Sequence, residues 1–92
     1  MKVDFFATLR RIVGTKTVEF EIPEGANVGQ LLDEIVRKFP ELRSELLDDK
    51  GQLYRHVHVF VNGRDVPYTE DKLETVLKSD DVISVFPAVA GG

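Results

Sequence analysis

The chemistry open to this sequence is narrow, and it concentrates in the closing run Phe86-Pro87-Ala88-Val89-Ala90-Gly91-Gly92. Elsewhere the usual reactive groups are missing or isolated. There is no cysteine, which removes thiol nucleophiles, thiolate metal ligands and disulfides. His56 and His58 alternate onto one face of a strand without the further ligands a zinc ion needs. We read them as surface residues and expect no metal. Ser44, Ser79 and Ser84 lack a nucleophile-elbow context. The glycines show neither dinucleotide nor P-loop spacing. Side chains are therefore not expected to catalyse anything, and no bound cofactor is expected. A terminal carboxylate on Gly92 is a different kind of group. Glycine has no Cβ, so a Gly91-Gly92 end can thread a narrow channel and bend inside it. Its carbonyl is open to attack from either face. Pro87 blocks further helix and holds a semi-extended exit from the residues before it.

The rest of the chain must present that end. With 92 residues, we expect one domain over residues 1–92, of which 87–92 form a flexible tail. Hydrophobic residues make up 42% and charged residues 30%, an ordinary globular balance. The net charge is −4 and the pI about 5.1. No basic cluster offsets it, which argues against nucleic acid and against an anionic membrane surface. A protein partner with a basic face stays open. Met1-Lys2-Val3-Asp4 opens without a long apolar run, so neither a signal peptide nor a membrane span is expected, and the location implied is cytoplasmic.

Hydrophobic period assigns the elements. Residues 2–6 alternate as a strand with Val3 and Phe5 inward, leaving Phe6 on the polar side. Residues 7–13 read as a turn or short helix closed by Gly14. Residues 16–22 form the cleanest strand, with Val18, Phe20 and Ile22 on one face. Asn27 and Gln30 make a capping-box pattern. The stripe Val28, Leu31, Leu32, Ile35, Val36 and Phe39 then predicts a helix over 27–39 that stops before Pro40. On its wet face Glu34 and Lys38 make an i,i+4 pair. Leu42 and Leu46 anchor a second short helix, and 48–51 form a polar turn. Residues 56–61 alternate with Val57, Val59 and Val61 inward. Asn62-Gly63 turns the chain tightly into a short return ending at Pro67. Residues 69–80 are a loop with Leu73, Val76 and Leu77 inward. Residues 81–86 make the last strand.

One amphipathic helix against one alternating sheet is a two-layer α+β domain with a wet second sheet face. The order of elements is that of a β-grasp, ubiquitin-like fold with a mixed sheet and one main helix packed on one face. By alternation Phe6, Phe60 and Phe86 all fall on the face opposite the helix. Three aromatics there predict a partner-binding patch, with Phe60 and Phe86 close together and substantially exposed.

The opening Phe5-Phe6-Ala7-Thr8-Leu9-Arg10, the turn Val61-Asn62-Gly63 and the ending Phe86-Pro87-Ala88-Val89-Ala90-Gly91-Gly92 resemble the MoaD/ThiS family of ubiquitin-like sulfur carriers. The resemblance implies a non-catalytic carrier. An E1-like adenylyltransferase would use ATP to adenylate Gly92, and a sulfur donor would convert the adenylate to a thiocarboxylate. An acceptor enzyme would then take the sulfur. Pro87, Ala88, Val89, Ala90 and Gly91 would thread the partner's channel. The first pathway implied is molybdopterin (molybdenum cofactor) biosynthesis, with the molybdopterin synthase large subunit as acceptor. Pro87 is followed here by Ala88, where molybdopterin synthase subunits commonly carry a second proline. That departure and the 41–54 segment are similar to carriers that serve a cysteine synthase, and to archaeal-type modifiers conjugated to lysines.

Overall fold

Segments of period two and of period 3.6 share one core in the computed structural model, which describes residues 1–55, 57–66 and 72–87. Strand β1 (Lys2–Phe5) leads through a short helix α1 (Thr8–Val13) to β2 (Thr17–Glu19). Helix α2 (Val28–Lys38) follows, then a 3₁₀ turn over Pro40–Leu42 that runs into α3 (Arg43–Leu46). Strands β3 (His58–Val61) and β4 (Arg64–Asp65), a 3₁₀ turn at Lys72–Glu74 and β5 (Ile83–Phe86) complete the order. The sheet runs β2-β1-β5-β3-β4. At its centre β1 and β5 are parallel, with Val3 opposite Ile83 and Phe5 opposite Val85; the other neighbours are antiparallel. This is the expected α+β, β-grasp arrangement.

Alternation along the strands puts Val3, Phe5, Val59, Val61, Ile83 and Val85 in the core, where Val28, Leu31, Leu32 and Ile35 of α2 join the same apolar cluster. Phe5, Phe20 and Phe39 meet edge to face, with ring centroids 6.3 to 6.5 Å apart, the favoured geometry for aromatic quadrupoles. The segment after α2 extends this core. Leu42 and Leu46 are fully buried, and a bridge between Leu47 and Leu53 closes the polar turn. Within that turn Asp48 accepts backbone hydrogen bonds from Lys50 and Gln52. The capping box forms as read: the Gln30 N–H donates to Asn27 Oδ1, and the Asn27 N–H to Gln30 Oε1, each at 2.9 Å.

Four expectations need correction. The strand over 16–22 shortens to Thr17–Glu19. It lies at the sheet edge, and its one partner, β1, begins only at Lys2. A last backbone bond from Phe20 to Met1 exhausts the pairing, so Val18 and Ile22 are only partly buried. Glu34 pairs with Arg37 rather than Lys38. Two hydrogen bonds of 2.9 and 2.8 Å from the guanidinium hold the Glu34 carboxyl below its ordinary value, as a bidentate fork does better than a point charge. Lys38 instead reaches the Glu19 carbonyl at 3.3 Å and lies over the Phe20 ring. Val76 is exposed, not tucked in. Backbone bonds from Val28 to Thr75 and from Leu77 to Ala26 hold 75–77 extended, and alternation then buries Leu77 and turns Val76 out. Finally, β5 begins at Ile83 rather than Asp81, because residues 81 and 82 are held by Asn62. That residue takes φ 52° beside Gly63 at φ 85°, the type I′ pair of a two-residue hairpin. Its amide also donates to Asp81 and accepts from the Val82 N–H. His56, Pro67 and residues 68–71 lie outside the described residues, and so do Ala88 to Gly92.

The cap supplies a direct check. Asn27→Ala should lower unfolding free energy by about 1 kcal/mol in a urea titration, while Asn27→Asp, which keeps the acceptor, should lose much less.

Candidate functional site

The register of the three central strands gathers the aromatic residues. In the antiparallel pair His58 faces Phe86 and Phe60 faces Ser84. Phe60 and Phe86 are thus diagonal neighbours on one face, within reach of aromatic side chains. In the parallel pair Phe5 faces Val85, and the Phe6 N–H donates to the Val85 carbonyl at 3.2 Å. Phe6 therefore emerges beside Phe86. The two rings stack with centroids 4.3 Å apart and planes 8° from parallel. Phe60 meets Phe86 edge-on at 5.5 Å.

Arg10 and Asp65, which sequence reasoning missed, close the ends of this row, Asp65 through His58. The Arg10 guanidinium lies 5.3 Å from the Phe6 ring centroid, in cation–π range, and its Nε donates to the Phe5 carbonyl at 3.1 Å. At the other end the His58 ring lies against Phe60 and pairs through Nδ1 with Asp65 Oδ2 at 2.5 Å. The second signal was available. A two-residue turn at Asn62-Gly63 pairs Val61 with Arg64 and Phe60 with Asp65, which sets Asp65 diagonal to His58. The row thus reads Arg10, Phe6, Phe86, Phe60, His58, Asp65. Among the described residues no three His, Cys, Asp or Glu side chains converge as a metal site would require.

The expectation of substantial exposure for Phe60 and Phe86 is corrected. Both rings, like Phe6, are half-buried, because each shields a face or edge of the next. Beside them Ala7, His58, Phe60, Asp65, Phe86 and Pro87 line a shallow, mainly apolar depression. Ala7 carries an unusual backbone, φ 56° and ψ −130°. With the Leu9 N–H bonded to the Phe6 carbonyl at 3.2 Å, this is the first central position of a type II′ turn, where glycine is preferred. A non-glycine residue there costs about 1–3 kcal/mol. The turn drops Leu9 into the core and returns Arg10 to Phe6. Pro87 follows β5 at the depression's rim. The five residues expected to form the reactive tail, Ala88, Val89, Ala90, Gly91 and Gly92, lie outside the described residues.

A profile of the ThiS family matches residues 3–92. The chain belongs to that family. It is 38% identical over 92 residues to small archaeal modifier protein 3 of Haloferax volcanii, covering all of this chain and 98% of the relative. It is 31% identical over 93 residues to the molybdopterin synthase sulfur carrier subunit of Mycobacterium tuberculosis, covering all of this chain and 96% of the relative. Among solved structures, SAMP1 from Haloferax volcanii superposes with a TM-score of 0.86 at 33% identity, over 99% of this chain and 97% of that one. A chain of the Amycolatopsis orientalis BexX/CysO complex gives a TM-score of 0.77 at 32% identity, over 99% of this chain and 98% of that one. Small ubiquitin-like carriers and modifiers are thus the class to which the chain is akin. Among the described residues no helix is long and apolar enough to cross a membrane.

Because the rings support one another, their contribution to stability is measurable. A double-mutant cycle of Phe6→Leu and Phe86→Leu, followed by denaturant unfolding, should return a coupling of about 0.5–1.5 kcal/mol.

Proposed function

We propose that this protein is a ubiquitin-like carrier activated at its terminal carboxylate. An E1-like adenylyltransferase docks the aromatic face and threads Pro87, Ala88, Val89, Ala90 and Gly91 through a channel to its ATP. The observation that carries this reading is the junction of β5 with the aromatic row. Phe86 is both the last strand residue and the centre of the stack. A partner seated on that face therefore meets the chain where it leaves the sheet. The chemistry follows from the poor electrophilicity of a carboxylate. A Gly92 oxygen attacks the α-phosphorus of ATP, pyrophosphate leaves, and the acyl-adenylate now has a good leaving group. Hydrosulfide adds to the carbonyl carbon, AMP departs and the sulfur loses its proton, leaving a thiocarboxylate. Enclosure keeps water from the anhydride.

The destination of the activated end is ordered by similarity. The modifier relative is the more alike over the whole chain, 38% against 31% for the molybdopterin subunit. We therefore place conjugation to lysines ahead of molybdopterin synthesis. Sulfur delivery in cysteine synthesis stands beside conjugation, supported by the chain of the BexX/CysO complex, 32% identical over 99% of this chain, and by Ala88 after Pro87. The modifier route uses the same adenylate: a lysine amine replaces the sulfur nucleophile and an isopeptide bond forms.

Intact mass separates these outcomes. Incubation with ATP, the adenylating partner and sulfide should add about 16 Da at Gly92, set by exchange of oxygen for sulfur. A lysine conjugate with the mass of one water lost would favour the modifier route. An unchanged mass in both assays would refute activation altogether. Deleting Gly92 should abolish either product and leave stability nearly unaltered, since glycine has no side chain to pack. Phe60→Ala should weaken partner binding by about 1–3 kcal/mol in calorimetry.

A further inference from the structure

Ala7 presents a contradiction that the fold does not resolve. Its backbone, at φ 56° and ψ −130°, is one that glycine adopts freely and an L-residue resists. The turn it makes is needed, since it delivers Leu9 to the core and Arg10 to Phe6. The methyl group is not needed by the core: Ala7 is exposed and stands outside the buried apolar cluster. Glycine would make the same turn with less strain. On the outer side, Ala7 is one of the residues that line the apolar depression, with Phe60, Phe86 and Pro87.

We propose that Ala7 is a specificity-determining contact of the docking face, where its Cβ completes the apolar floor beside Phe86 and Pro87 for the adenylating partner. This rests on the docking reading given above. The partner group it fits is an aliphatic or aromatic side chain, because four of the six lining residues are apolar. His58 and Asp65 supply the polar edge and are already paired with each other. Fold and recognition then pull this position in opposite directions, and a single substitution separates them.

Ala7→Gly should raise the melting temperature by about 4 °C, through relief of the left-handed strain. It should also weaken binding to the adenylating partner about fourfold in calorimetry without ATP, the scale of one buried methyl group. Ala7→Ser keeps the Cβ and should restore affinity to within about twofold of the parent, with no gain in melting temperature. A glycine variant that binds as tightly as the parent overturns the proposal. So does one that loses stability and affinity together, the signature of a merely structural role. The mass assay keeps the two readings apart. A parent chain that binds but never gains mass defeats the tail chemistry and leaves the Ala7 result standing. A parent chain that does not bind the partner overturns both.

Discussion

The parallel pairing of β1 with β5 is the constraint on which everything else hangs. Parallel neighbours cannot be joined by a tight turn. Here the connection takes up everything between Phe5 and Ile83, so helix α2, the 40–54 excursion and the β3–β4 hairpin are all contained in one crossover. The pairing buries Val3, Phe5, Ile83 and Val85 completely. It also dictates the opposite face. Once Phe5 stands beside Val85, the next residues of the two strands must come out together, and those residues are Phe6 and Phe86. The aromatic stack is therefore a consequence of the same register that seals the core. A one-residue slip would exchange the two faces: it would bury the stack and expose the valines.

Much of this was legible because it depends on period and on local caps. The stripe from Val28 to Phe39, the capping box at Asn27 and Gln30, and the Asn62-Gly63 turn each carry their own local cause. All three appear in the structure. What was misread depended on non-local partners. Alternation continues through Ile22, but a strand at the edge lasts only as long as its neighbour. Glu34 had two cations within reach, and Phe20, just past the end of β2, drew Lys38 away. Val76 looked like a core residue until the pairing of 75–77 with 26–28 set its side. For the site, the three phenylalanines followed from alternation alone. Arg10 and Ala7 did not, since both depend on how the chain turns after β1.

The aromatic row also explains how a small domain carries an apolar face without a large exposed patch. Stacking 4.3 Å apart hides one face of each ring, and the edge contact of Phe60 hides part of Phe86. Arg10 covers Phe6 at one end, and the His58–Asp65 pair flanks Phe60 at the other. The large hydrophobics that are exposed among the described residues, Tyr54, Val76 and Val82, belong to three separate segments of the chain, and none of them is one of these rings. Single exposed apolar residues are ordinary, whereas contiguous ones invite association.

A carrier that passes between partners places a further demand on such a face. Each encounter has to be reversible, and each would repeat the cost of ordering mobile side chains, about 0.5–1.5 kcal/mol apiece. Rings already held by one another have little freedom left to lose. Arg10, tied to the Phe5 carbonyl, is similarly fixed before any partner arrives. Under the proposed function, the stack lowers the cost of docking without adding contact area, and docking remains weak enough to release. The strain at Ala7 fits the same economy. The domain has a total stability of only about 5–14 kcal/mol by its length, and the strained turn at the exposed Ala7 takes a measurable part of it. Such a position is sustainable only while the sheet beneath it is secure, and the fully buried centre of β1 and β5 is what secures it.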